Sequence, residues 1–207
     1  MSELRKKKVA VAILCYRDDS DLLLECLRSA KMAFAAQTAF EAKYVLLDDA
    51  WCPVRKDVRE AFLAQPGTER IATGMRRGEM ILGGEYLAGQ YEAFVRAAEG
   101  ADILVKVDCD TLLYKTDWLE EFAADNTAQI AGAFDFGYAN HTSVFGLCYA
   151  IKAPMLAKLL EDARKYPAHH KAWEDHETSS RIFRICGGDM DSLMRWRAND
   201  PVDGFVT

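Results

Sequence analysis

Two kinds of apolar pattern alternate along this chain. Short, near-continuous runs of aliphatic and β-branched residues give way to longer stretches with apolar positions three and four apart. Residues 8–15 (KVAVAILC) form the first run, as expected of a strand covered on both faces. A polar turn at 16–20 follows, in which Asp18, Asp19 or Ser20 is suited to cap a helix. Over 22–36 Leu23, Cys26, Leu27, Ala30 and Phe34 share one helical face. Residues 41–47 (EAKYVLL) read as a second strand ending in Asp48-Asp49, and Pro53 is suited to the first turn of a helix through 64.

The alternation continues to the end. A turn at Pro66-Gly67 precedes a short strand at 69–72, and a glycine-containing basic passage covers 73–84. A helix at 85–99 would turn Leu87, Tyr91, Phe94, Val95 and Ala98 inward. Next comes the run Ile103, Leu104, Val105, Val107, which stops at Asp108-Cys109-Asp110-Thr111. A helix around 117–124, a strand at 128–134, a polar aromatic loop at 135–142 and a strand at 143–151 come after it. Pro154 opens a helix to about 166, and another at 172–184 is ended by Gly187-Gly188. The spacing at 189–197 predicts one more helix. Strands alternating with helices predict an α/β sandwich with a mostly parallel sheet. No linker, repeat or compositional break divides residues 1–207, which are read as a single domain.

Composition narrows the classes. The formal charge of −6 argues against a nucleic-acid partner, since proteins that track phosphate backbones carry a basic excess. The basic run at 5–8 reads as a solvated tail. No apolar run approaches the ~20 residues of a transmembrane segment, and 9–15 is too short for a signal peptide. Six scattered cysteines without a C-x-x-C pair fit free thiols in a reducing compartment, so a cytoplasmic location is expected.

The chemistry concentrates at Asp108 and Asp110. In open α/β sheets ligands bind beyond the carboxyl ends of strands. Two hard-oxygen ligands there suit Mn²⁺ or Mg²⁺ and hence a substrate carrying phosphates. The competing reading is that the two aspartates cap the turn before the next helix. Several phosphate and acyl chemistries are excluded by missing motifs. The chain lacks G-x-G-x-x-G after its first strand, G-x-x-x-x-G-K-[ST], and G-x-S-x-G. A haloacid-dehalogenase-type phosphatase is disfavoured because Thr111 lies three residues after Asp108 rather than four, about 100 residues into the chain.

Four stretches together resemble the GT-A glycosyltransferases, within them the large family-2-like group. They are KVAVAILCYRDD, YVLLDDAW, GGEYLAGQYEAFVRAAEGADILVKVDCDT and WEDHETSSRIFRI, and the resemblance spans residues 9–184. It implies a three-layer α/β/α sandwich and transfer of a sugar from a nucleotide-sugar donor, a UDP-sugar being commonest, to a hydroxyl acceptor. It implies that Asp110 is the more direct ligand of the divalent cation, that Asp108 reaches the ribose or a metal-bound water, and that His176 is a candidate third ligand, with His169 and His170 as rivals. By the same resemblance Asp48 or, preferably, Asp49 would contact base or ribose. Tyr16 and Arg17 would meet the base or phosphate, and Arg76 with Arg77 the diphosphate. Asp175 would be the base that takes the acceptor's proton in an inverting transfer, with Glu174 orienting it or binding acceptor; Trp173 is placed to pack against the acceptor or sugar, or merely against the sheet. The bland alternative for Glu174, Asp175 and Glu177 is that they complement the positive end of a helix dipole. A late Q-x-x-R-W motif is missing, which argues against a processive membrane-embedded synthase. Two rival functions stay open: a sugar-nucleotide nucleotidyltransferase, which would need a Gly-rich loop after the first strand, and a binding protein of the same shape without turnover.

Overall fold

The computed structural model describes residues 5–74, 83–134, 144, 148–167, 174–197 and 205–206. Nine strands and six α-helices are formed there: β1 Lys7–Cys15, α1 Leu23–Ala35, β2 Phe40–Asp49, α2 Lys56–Leu63, β3 Thr68–Thr73, α3 Gly83–Ala97, β4 Ile103–Asp108, β5 Leu112–Leu113, α4 Asp117–Ala124, β6 Ile130–Phe134, β7 Cys148–Lys152, α5 Ala153–Lys165, α6 Glu174–Ile185, β8 Leu193–Arg197 and β9 Phe205–Val206. Seven of the strands make one sheet in the order β3-β2-β1-β4-β7-β6-β8, while β5 and β9 pair separately. Within the large sheet only β7 runs against its neighbours β4 and β6, so the sheet is mostly parallel.

Period-two alternation in β1 explains how the sheet is covered. Val9, Val11 and Ile13 face a core with α1, α2 and α4, whereas Ala10, Ala12 and Leu14 face the core of α3, α5 and α6. Both sides of the strand are buried, which is why it reads as continuous apolar sequence. The chain therefore forms helix layers on both faces of one sheet. Among the described residues no helix is long and apolar enough to cross a membrane, and all six cysteines are free thiols.

Three local expectations are corrected. Residues 189–197 are not a helix: a 3₁₀ turn at Met190–Ser192 leads into β8, which pairs in parallel with β6. The open edge of β6 supplies backbone partners that no local pattern announces. Pro53 does not open α2, which starts at Lys56, because the Val54 N–H is taken by the Asp48 side chain at 2.8 Å. No side chain caps α1 either. A 3₁₀ turn at Arg17–Leu22 precedes it, and Ser20 Oγ donates to the Arg17 carbonyl at 2.7 Å while accepting the Arg55 N–H.

A candidate donor and acceptor site at the carboxyl edge

Chain connections leave β1 toward β2 on one side and reach β4 on its other side, so the β1/β4 boundary is the switch point where an α/β sheet opens a crevice. Asp108 is the last residue of β4, directly at that boundary. The turn after it is held from below. The Cys109 N–H donates to the Leu14 carbonyl at 3.1 Å, and the Thr111 N–H donates to the Asp108 carbonyl at 3.0 Å. Cys109 is buried, as expected of a residue pointing back into the sheet, and Asp110 is exposed. The next helix, α4, has Thr116 at its N-cap and no capping side chain, so neither aspartate serves that purpose.

The sequence reading missed the residue that organises this edge. Lys106 sits in the middle of β4, 1% exposed, on the same face as Asp108 two positions later. Its ammonium donates to Asp108 Oδ2 at 2.9 Å and lies 3.8 Å from Glu174 Oε2 at the start of α6. Glu174 Oε1 accepts from Gln90 Nε2 of α3 at 2.7 Å and from the Tyr149 hydroxyl of β7. Five residues from four elements thus form one buried polar chain. Burial holds the Glu174 carboxyl above its usual range, with the Lys106 charge opposing that shift. Burial and then the adjacent Glu174 charge push the Tyr149 phenol well up, so it remains a neutral donor. The available signal was a lysine inside an otherwise apolar strand. A buried ammonium needs a carboxylate partner, and the nearest in sequence on its face is Asp108.

Helix α6 is pinned firmly behind this network. Thr178 Oγ1 donates to the Glu174 carbonyl at 2.7 Å and meets the Tyr91 hydroxyl at 2.8 Å. Arg181, 2% exposed, pairs with Asp162 and Glu177, each at 2.6 Å. The fixed helix start leaves Asp175 and His176 partly exposed beside the buried Glu174. Asp175 Oδ1 accepts the His176 N–H at 2.8 Å.

The ends of β1 and β2 make a second wall. The Arg17 N–H donates to the Cys52 carbonyl at 3.0 Å, which ties Tyr16-Arg17 to the loop after β2. Both aspartates there are buried, but they take different partners. Asp48 is fully buried: its carboxylate accepts from Arg70 Nε at 2.6 Å, Arg59 Nη1 at 3.3 Å and the Val54 N–H. Its pairing with both arginines and the Val54 N–H anchors the β2–α2 loop from inside. Asp49 accepts the Trp51 N–H at 2.7 Å and thereby shapes the turn that leaves the Trp51 side chain 62% exposed. Sequence reasoning also missed Trp51, for which a tryptophan after a strand-end acid was the sole hint.

Arg76, Arg77, His169, His170, Trp173 and the loop at 135–142 lie outside the described residues. Asp108, Asp110 and His176 lie within them, but no group of three His, Cys, Asp or Glu side chains that could hold a metal is formed among the described residues. The expected third ligand His176 therefore does not complete a preformed cluster. The donor set still fits Mg²⁺ or Mn²⁺, because such ions bind through one or two carboxylates and complete their shell with water and substrate phosphate. Asp110 is exposed and Asp108 half-buried, its Oδ2 accepting from Lys106.

This architecture is that of the GT-A glycosyltransferase fold. The galactosyltransferase LgtC, solved with donor and acceptor sugar analogues, matches 89% of this chain and 72% of its own at 13% identity, with a TM-score of 0.54. The mannosyltransferase PcManGT from Pyrobaculum calidifontis, solved with GDP-Man and Mn²⁺, matches 96% of this chain and 59% of its own at 16% identity and a TM-score of 0.57. The bifunctional glycosyltransferase WbbM matches 95% and 40% at 10% identity and a TM-score of 0.58. No family model matches the chain, and neither does any curated protein.

Proposed function

We propose that this protein is a glycosyltransferase that takes a sugar from a nucleoside-diphosphate donor to a hydroxyl acceptor with the help of Mn²⁺ or Mg²⁺. The observation that carries the reading is the joining of Asp108 to Glu174, the residue before Asp175, through Lys106 at the switch point of a GT-A sheet. Asp108 and Asp110 would hold the cation, which when bound neutralises charge on the diphosphate leaving group. Asp49, Tyr16 and Trp51 would receive the nucleoside, Trp51 offering an exposed ring for the base. Asp175 would take the acceptor's proton as its oxygen attacks the anomeric carbon, giving inversion. Glu174, with both oxygens engaged inside the protein, orients the helix start rather than meeting acceptor. The turn after β1 is acidic and glycine-free, which counts against the nucleotidyltransferase alternative.

The test is a thermal-shift panel with UDP and GDP, with and without Mn²⁺, followed by donor hydrolysis and transfer assays. A metal-dependent rise in melting temperature is expected with one of the two nucleotides. It should be lost in Asp110→Ala and kept in Asp175→Asn, which should bind but not transfer. A wild-type protein indifferent to every nucleotide with Mn²⁺ present would sink the proposal.

A further inference from the structure

The Lys106 ammonium is a fixed positive charge placed where the function requires a second one, the metal, to arrive. It is 1% exposed, donates to Asp108 Oδ2 at 2.9 Å and is held on its other side by Glu174 Oε2 at 3.8 Å. The Tyr149 ring, 5.5 Å from the ammonium, adds a third wall. Glu174 is in turn fixed by Gln90 and Tyr149, so the lysine cannot swing away without leaving a buried carboxylate uncompensated. Asp108 thus shares its negative charge with Lys106 through Oδ2. Asp110 on the exposed side supplies the other carboxylate, and no third ligand converges among the described residues.

We infer that Lys106 is a positioning residue that keeps the cation site incomplete until a nucleoside diphosphate supplies the missing oxygens, so that metal and nucleotide assemble together. The inference rests on the glycosyltransferase reading for its ligand and on the Lys106 geometry for its logic. Two carboxylates free of a counter-ion would attract a divalent ion on their own. With a lysine charge within hydrogen-bonding distance of one of them, that attraction is much reduced at any effective dielectric appropriate to a partly buried site. The diphosphate restores it by adding negative charge and oxygen ligands.

The probe is Mn²⁺ alone, followed by the loss of its free-ion electron paramagnetic resonance signal on titration with protein. Wild type should bind Mn²⁺ weakly without nucleotide and at least ~10-fold more tightly with saturating UDP or GDP. Lys106→Met should bind Mn²⁺ alone at least ~10-fold more tightly than wild type, a gain that a loosened fold does not produce. Because Lys106→Met strands Glu174, the pair Lys106→Met with Glu174→Gln removes both buried charges and should keep a gain over wild type, smaller than that of the single variant because a nearby negative charge goes as well. Unchanged or weaker Mn²⁺ binding by the double variant overturns the inference, as does wild-type binding that nucleotide does not strengthen while Mn²⁺ alone is already held tightly. If neither UDP nor GDP promotes Mn²⁺ uptake yet the variants gain affinity for the ion, the role of Lys106 stands and the choice of donor fails.

Discussion

Asp48 and Asp49 are adjacent and chemically identical, yet the structure gives them different partners, and replacing each by alanine separates their proposed roles. In Asp48→Ala the Val54 N–H, in a residue only 2% exposed, loses its acceptor at 2.8 Å. An orphaned buried donor costs about 1–3 kcal/mol. The same change releases Arg70 and Arg59, whose side chains are 33% and 27% exposed and can turn to water. Their charge-assisted bonds are therefore discounted to about 1 kcal/mol together. The expected loss is about 3 kcal/mol, or a melting temperature lower by about 6–12 °C for a domain of this size. Asp49→Ala removes a 3% exposed carboxylate that accepts the Trp51 N–H at 2.7 Å and should cost about 1 kcal/mol. Urea unfolding followed by circular dichroism measures both, and nucleotide titration of the folded proteins measures the other half. Asp49→Ala should weaken nucleoside-diphosphate binding about tenfold, the loss of one good hydrogen bond to the ligand. If Asp48→Ala melted within 1–2 °C of wild type while losing nucleotide affinity, Asp48 would face the ligand and the division of roles would be wrong.

Two further outcomes test other parts of the molecule. Asp162→Ala leaves Arg181, 2% exposed, with Glu177 and the Tyr166 carbonyl as remaining partners, and also removes the Asp162 contact of Arg184. Breaking a buried pair from one side costs about 3–5 kcal/mol, and the surviving partners put this case near the lower figure; a loss under about 1 kcal/mol in denaturant unfolding would show that α6 is not pinned through Arg181. Burial raises the Tyr44 phenol from 10.0 to about 12. The folded state then keeps this proton between pH 10 and 12 while the unfolded chain releases it, so stability is whole below pH 10 and declines as pH rises toward 12. Wild type should lose roughly 2–3 kcal/mol more than Tyr44→Phe across that window. Parallel curves for the two proteins would contradict a buried phenol.

How much of this was readable beforehand depends on the range of the interaction that decides each feature. The β1 run, the helical face of α1 and the carboxylates after β4 are local: burial on two faces demands a continuous apolar run, and a strand end demands a polar break. Residues 189–197 carry apolar positions compatible with either period, and the vacant edge of β6, far away in sequence, decides for a strand. Asp48 and Asp49 are likewise indistinguishable locally, since what separates them is Arg70, brought alongside by the parallel β2–β3 register.

The chain's own pattern determined the layered α/β architecture and the strand end that carries Asp108 and Asp110, because periodicity and strand ends are properties of neighbours in sequence. Only the tertiary structure decided that β7 runs antiparallel and that Lys106 joins Asp108 to Glu174. Only it turned Asp48 inward while Trp51 stands out. A lysine or a carboxylate takes its role from whether water or an opposite charge lies beside it, and that is set by segments that meet through the sheet rather than along the chain.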